Sequence, residues 1–500
     1  MSEDILIAID AGGTVVKVVA FDLSGNEMAQ GTAIVHTEHH ADGRVERDVE
    51  MFWQGIVAAV RRVTEQCRGQ RILGVGCTGF GNGIFLIDEK GRGTRPGIVS
   101  VDHRAQPIVD RLNASNHAAT ISEVTGNRLW GGQTLMQFAH LALNEPEVMA
   151  RTRWALACKD FIRFRLTGEV LTDPTDASGG GMMDIEAGEY AFSALESLGV
   201  SACRDRLPPI VASHSVAGRV TNTAALEMGL PEGIPVAGSM MDVAACALGA
   251  GAVDAPVLTM IAGTWSINSI ECDRPQSDAT PILNMLYRDG KRLIAEGSPS
   301  SAANLGWFLE HGLAGRVTLD EASAMVEATD VTARRCQFLP HVLGPEPRRG
   351  AFVGIGVGDN LNTMLRAIFE AVAFQARAHA EKAVTLSDKP FPETIRLAGG
   401  AAKAPIWAQI FADICQQRVE VVRASEVGAL GAAICAAVAC GAYGDLPEAV
   451  RNMTHVAREH RPDPTLRVFY DRRFQEFLRL DQGVVQLLTG DAPTTVQQQI

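Results

Sequence analysis

The chain opens on a short apolar run, Ile5 to Ile9, which ends at Asp10 and passes through Gly12-Gly13-Thr14 into a second apolar run, Val15 to Phe21. The pattern returns half a chain later, where Val257 to Ala262 leads through Gly263-Thr264 into the alternating run Ser266 to Ile270. Strand-like runs joined by glycines predict a β-hairpin. A hairpin repeated at the start of each half predicts two similar domains facing one another. Length agrees, because 500 residues exceed what one hydrophobic core serves. The boundary is expected within Gly251 to Ala255, giving domains 1–252 and 253–500.

Between the hairpins, Met51 to Cys67 carries Phe52, Ile56, Val60 and Val63 at helical spacing. Strands are expected at Ile72 to Cys77 and Ile84 to Ile87, and a helix over Trp154 to Thr167 that stops at Gly168. A third unit follows, with a strand at Thr394 to Ala398, a turn at Gly399-Gly400 and a helix over Pro405 to Cys415. Ala429 to Tyr443 is too short to span a bilayer and reads as a core helix, so no membrane span is expected.

Acidic residues number 58 against 45 basic, a net charge of −13, with no basic block that would track a phosphate backbone; nucleic acid is excluded as a partner. Met1-Ser-Glu-Asp4 lacks the basic start and apolar stretch of a secretory signal, so a cytoplasmic location is expected. Ten cysteines occur without a CxxC pair, which suits neither a zinc site nor a disulfide scaffold and predicts reduced, buried thiols. Ordinary globular composition leaves disorder to the polar tail.

Asp10-Ala-Gly-Gly-Thr-Val-Val-Lys17 is the strongest single feature. Glycines in a hairpin turn let backbone N–H groups approach a polyphosphate, and Thr14 can add its hydroxyl. Asp10 could hold Mg²⁺ through water, and Lys17 could neutralise nearby charge. The local alternative is a surface Asx-type turn. With Gly263 and Thr264, a second glycine hairpin is available to clamp a nucleotide's phosphates. No GxxxxGK followed by Ser or Thr occurs, which excludes the P-loop class, and no GxGxxG links a first strand to a helix as a Rossmann fold requires. Asp242 stands where the run Ile234 to Ala237 gives way to a helix-like stretch. A carboxylate near a helix N-terminus stays ionised and can accept a hydroxyl proton; a plain N-cap is the alternative.

The ordered set of Asp10-x-Gly12-x-x-x-x-Lys17, Val45-Glu-Arg-Asp48, Asp102-His-Arg104, Asp160-Phe-Ile-Arg-Phe-Arg-Leu-Thr-Gly168, Asp176-Ala-Ser178, Pro235-Val-Ala-Gly-Ser-Met-Met-Asp242, Gly263-Thr264, Phe338-Leu-Pro340 and Gly399-Gly-Ala-Ala-Lys403 resembles the FGGY family of carbohydrate kinases. The resemblance implies an α/β fold of two actin-like (ribonuclease H-like) ATPase domains with a central cleft, closing over ATP, Mg²⁺ and a small sugar or polyol. It implies Asp242 as general base, Gly399, Gly400 and Lys403 as an adenosine-binding turn, and Glu426 to Ala433 mainly as packing. A homodimer is compatible with it.

The loop Gly79-Phe-Gly-Asn-Gly83 departs from the family's pentulose pattern, and Ser100 replaces a family Trp. Ser100, and Gly12-Gly13 in the first hairpin, resemble the L-xylulose kinase branch. Asn82, Asp102 and Arg104 are the candidate sugar contacts, with a glycine-rich surface turn and an exposed ion pair as their bland readings. L-xylulose is the first choice, with D-xylulose, erythritol and glycerol open. A sugar-independent actin-like ATPase and a catalytically dead sugar binder are the competing classes; Asp242 argues against the second.

Overall fold

The computed structural model of the chain describes residues 4–115, 117–251, 253, 256–276, 280–333, 335–343 and 348–489. Residues 1–3, position 252 at the expected domain boundary and 490–500 of the polar tail lie outside the described residues. The chain divides into two compact units. The first takes in Met1–Asp254, Cys272–Ile294 and Ala424–His455; the second takes in Ala255–Glu271, Ala295–Arg423 and Val456–Ile500.

In the first unit, the strands Asp4–Ala11 and Val15–Asp22 form the expected antiparallel hairpin, with Asp10 opposite Lys17. Asp4–Ala11 also pairs in parallel with Arg71–Gly79, which sets Thr78 beside Asp10. The sheet runs in the order Val216–Arg219, Pro235–Ala237, Arg71–Gly79, Asp4–Ala11, Val15–Asp22, Glu27–Ile34. Ile5 through Ile9 are fully buried, as a strand covered on both faces requires. The helix Val49–Gln66 is capped by Asp48, which accepts from the N–H groups of Glu50 and Met51. It buries Phe52, Ile56, Val60 and Val63 in the same core as Ile5, Ile7 and Ile9.

A second helix, Val427–Ala439, packs backbone to backbone through glycines. A Cβ on Gly76 would collide with the carbonyl of Ala432, one on Gly249 with that of Val427, and one on Gly431 with that of Ala245. The helix is thereby wedged between Arg71–Gly79 and the helix Asp242–Gly249.

The second unit repeats the plan. Leu258–Ala262 and Ser266–Cys272 form an antiparallel hairpin, and Leu258–Ala262 pairs in parallel with Thr394–Ala398, which continues to Arg418–Val422 and Val456–His460. The helices Leu361–Ser387 and Pro405–Cys415 lock together through Phe369 and Trp407, whose rings stack at 4.2 Å while Trp407 Nε1 donates to the Phe369 carbonyl.

One expected element differs. Trp154–Leu156 is a strand paired with Phe85–Ile87, and the helix begins only at Cys158; three residues are too few to show a period of two, so the segment read as the helix's first turn. Gly168 caps that helix in the left-handed conformation as expected, with φ 75°. All ten cysteines are free; seven are buried and Cys203, Cys246 and Cys440 are half-buried.

Candidate active site

Asp242 is the first residue of its helix, with Met241 as the residue before it. The Val243 N–H donates to its carboxylate at 2.7 Å, and the Gly81 N–H also bonds it. The expectation that the helix end keeps this carboxylate ionised is corrected here. Burial, and secondly the negative charge of Asp10, push its pKa up to about 7, and the two N–H donors oppose that shift without cancelling it. Desolvation outweighs the helix end because Asp242 keeps only partial solvent access.

Asp10, at the end of the first strand, is pushed up to about 6 by burial, with Lys17 lowering it and Glu426 raising it. Lys17 Nζ sits 2.6 Å from Glu426 Oε2, so its charge is matched first by a carboxylate of its own unit. Glu426 is held in turn by Glu27, whose Oε1 accepts from the backbone N–H groups of Ser425 and Glu426. The resemblance assigns Glu426 to Ala433 mainly to packing. The glycine contacts of the helix agree, but Glu426, the residue before its first turn, is also an electrostatic neighbour of Asp10, a role that only the fold reveals. Gly428 makes room here, because a Cβ on it would lie 2.8 Å from Asp10 Oδ2 and 3.2 Å from Cys246 Sγ.

Gly13 and Thr14 are exposed at the first hairpin's tip. A Cβ on Gly13 would meet nothing within 4 Å, and one on Gly12 would meet the Val15 carbonyl at 3.1 Å. Arg47 pins this tip from below by donating to the Gly13 carbonyl and to Thr37 Oγ1. In the second unit Gly263 likewise has open space and Thr264 is exposed. Neither Gly13 nor Gly263 has a positive φ, so neither backbone conformation nor packing within its unit explains the glycine. Gly399 is different: its φ of 85° and the Ala262 carbonyl 2.7 Å from its would-be Cβ demand glycine locally. Gly400–Lys403 then forms a 3₁₀ turn with Lys403 exposed, leading into the helix that starts at Pro405.

The sugar-side residues divide. Asn82 is buried with φ 59°, and its Oδ1 accepts weakly from the Thr134 N–H at 3.4 Å. Gly81 creates no cavity, because the Met241 side chain fills the space its Cβ would take. Asp102 and Arg104 form an ion pair that is buried rather than exposed. Asp102 accepts from the Val45 N–H at 2.6 Å and from Arg104 Nη2 at 2.7 Å, and Arg104 Nη2 also reaches Glu46 at 2.7 Å. Among the described residues their side chains bond or pair with one another and with Glu46, Val45 and Glu145, not with Asp242.

A duplicated hairpin-and-parallel-strand sheet, with carboxylates at Asp10 and Asp242, defines the actin-like ATPase class. The chain belongs to the FGGY family of carbohydrate kinases: the family's N-terminal domain matches residues 5–249 and its C-terminal domain residues 258–440. It is therefore a sugar kinase, an enzyme class that uses ATP as phosphoryl donor and a small sugar as acceptor. It is 31% identical, over 96% of its length and 99% of the relative's, to a protein of Pasteurella multocida (strain Pm70) named probable L-xylulose kinase. It is 29% identical, over 95% of its length and 96% of the relative's, to the L-xylulose/3-keto-L-gulonate kinase of Escherichia coli (strain K12). The crystal structure of gluconate kinase from Lactobacillus acidophilus shares the fold, with a TM-score of 0.88 at 20% identity over 98% of this chain and all of that one. Among the described residues, no helix is long and apolar enough to cross a membrane, and no group of three or more His, Cys, Asp or Glu is placed to hold a metal ion.

Proposed function

We propose that the chain phosphorylates a pentulose, with L-xylulose as first choice, using Asp242 as general base. The observation that carries the mechanism is the Asp242 carboxylate itself. It keeps partial solvent access, is oriented by two backbone N–H groups and is shifted to a pKa of about 7, where a base can both lose and accept a proton at neutral pH. The acceptor hydroxyl gives its proton to Asp242 as its oxygen bonds to the γ-phosphorus; the bridging P–O bond to the β-phosphate breaks and ADP leaves. In the first unit Gly12, Gly13, Thr14 and Lys17 are assigned to ATP phosphate, and in the second unit Gly263, Thr264, Gly399, Gly400 and Lys403 to the nucleotide.

Asp10 fits a water-bridged Mg²⁺. It offers oxygen donors only, retains partial solvent access, and is a carboxylate whose pKa burial raises and whose charged form a nearby cation would favour. With few protein carboxylates converging, such an ion would keep most of its water. When bound, Mg²⁺ supplies charge neutralisation for the phosphates.

The choice of L-xylulose rests on the names of the two relatives and on the departures at Gly79 to Gly83 and Ser100. Asn82 is assigned to a sugar hydroxyl, since its amide both donates and accepts. Asp102 and Arg104 are kept as sugar-side residues only through the framework they build. A cytoplasmic location and a homodimer remain parts of the proposal, the latter tested by light scattering. The decisive assay compares kcat/KM for L-xylulose, D-xylulose, glycerol and erythritol in the wild type and in Asn82→Ala. Preference for glycerol or erythritol refutes the sugar, an unchanged ratio in Asn82→Ala refutes the assignment of Asn82, and ATP consumption without phosphorylated product supports the ATPase reading instead.

A further inference from the structure

The four residues Gly238 to Met241, which carry the chain from the strand Pro235–Ala237 to Asp242, are held almost atom by atom. The Gly238 N–H donates to the Ser215 carbonyl at 3.0 Å, and its own carbonyl accepts from Arg163 Nη1 at 2.7 Å. Ser239 stands at φ 60°, a left-handed conformation uncommon for a non-glycine residue. Its N–H donates to the Ser213 carbonyl and its Oγ accepts from the Cys77 N–H at 3.0 Å. The Met240 carbonyl accepts from Thr78 Oγ1, and the Met241 N–H donates to Thr175 Oγ1, each at 2.8 Å. Thr78, Thr175 and Ser239 are completely buried.

The direction of the Thr175 bond is fixed by a second one. A hydroxyl has one proton, and the Thr175 proton is committed to Asp173, whose Oδ2 lies 2.8 Å away. Asp173 also accepts from Ser213 Oγ at 2.7 Å and pairs with the buried Lys159 Nζ at 2.9 Å. What Thr175 presents to Met241 is therefore a lone pair, aimed at the peptide N–H one residue before Asp242. Thr78 supplies the other tie: it lies beside Asp10 in the parallel register and holds the Met240 carbonyl. Buried hydroxyls thus tie the backbone before Asp242 to the strand beside Asp10, in addition to the N–H bonds that the Asp242 carboxylate itself accepts.

We propose that Thr175 is a positioning residue of the phosphoryl-transfer site, its lone pair on the Met241 N–H fixing where the Asp242 carboxylate meets the acceptor hydroxyl, with Thr78 as its counterpart on the Asp10 strand. This rests on the reading of Asp242 as base. A strained segment over-determined by buried bonds is how a fold holds a reactive group in one place.

The test uses the full chain and whichever sugar of the panel turns over best. Thr175→Val keeps the side chain's shape and removes the hydroxyl, whereas Thr175→Ser keeps the hydroxyl. The expected result is a kcat at least about tenfold lower in Thr175→Val, with KM for ATP and for sugar within about twofold, and recovery of most of kcat in Thr175→Ser. A Thr175→Val enzyme with wild-type kcat overturns the proposal, as does a Thr175→Ser enzyme as slow as the valine variant. If Thr175→Val does not fold, Thr78→Val decides: a kcat loss at constant KM supports the proposal, and an unchanged kcat overturns it. Asp242→Asn run alongside separates the two readings. If it retains turnover, the base assignment fails; if it is inactive while Thr175→Val is normal, only the positioning role fails.

Discussion

Asp242→Asn is expected to do two opposite things, abolishing turnover while making the protein more stable at alkaline pH. The pKa of Asp242 in the folded chain, about 7, lies well above its ordinary 3.8. As pH rises from about 4 towards 7, the unfolded chain releases this proton and the folded chain retains it. The wild type therefore loses stability across that window and does not regain it above pH 7. A shift of about three units at about 1.36 kcal/mol each sets a ceiling of about 4 kcal/mol. Partial solvent access and relaxation of the site reduce this to about 1–2 kcal/mol. At about 2–4 °C per kcal/mol for a unit of this size, Tm should rise by roughly 2–8 °C at pH 8. Asparagine can still accept the Val243 N–H through its Oδ1, so the helix start is preserved. The same variant should lose at least about 100-fold in kcat and still bind sugar. The assay is thermal denaturation of both proteins from pH 4.5 to pH 8, with kcat measured on the same samples. A Tm difference that is zero at pH 8, or equally large at pH 4.5, refutes the claim that a desolvated carboxylate is the cause, and near-normal turnover refutes the base.

Wild-type kcat/KM should rise with unit slope up to a limb at about pH 7 and then level off, because Asp242 must be ionised to accept a proton; a flat profile between pH 5.5 and 8 contradicts this. Gly428→Ala should lower kcat and weaken Mg²⁺ dependence by crowding Asp10 Oδ2 and Cys246 Sγ, read from Mg²⁺ titrations of the rate. Arg104→Ala leaves Asp102 buried without its cation, while Glu46 keeps Arg95, at a cost of about 3–5 kcal/mol. That is a Tm loss of roughly 6–20 °C; a variant with wild-type Tm and a selectively raised sugar KM would put Arg104 at the sugar instead.

The two hairpins, the helix after Asp48 and the Pro405–Cys415 helix were legible because their signals are local: glycine punctuation and periodic apolar spacing. The strand Trp154–Leu156 was not, since its identity depends on the distant partner Phe85–Ile87. Asp242 was legible through the family's motif order, but its protonation was not, because the charge that helps raise its pKa belongs to Asp10 at the other end of the sheet's connectivity. Gly81 stands in the loop that departs from the family's pattern, and only packing reveals that Met241 occupies the space beside it. Asp102 and Arg104, two residues apart, carried no sign that Glu46 would converge on them and seal them in.

The helix Val427–Ala439 belongs to the first unit, yet the chain reaches it only after most of the second has been made. A ribosome adding roughly 5–20 residues per second needs roughly ten to thirty seconds to travel from the end of the first stretch to this helix. Throughout that interval the nascent first unit lacks the segment that fills the glycine-lined groove formed by Gly76 and Gly249. Its native state is therefore out of reach until translation is nearly over, and a fragment released at residue 254 would lack a wall of its own core. The order of synthesis thus makes maturation of the two halves interdependent, although each has its own sheet.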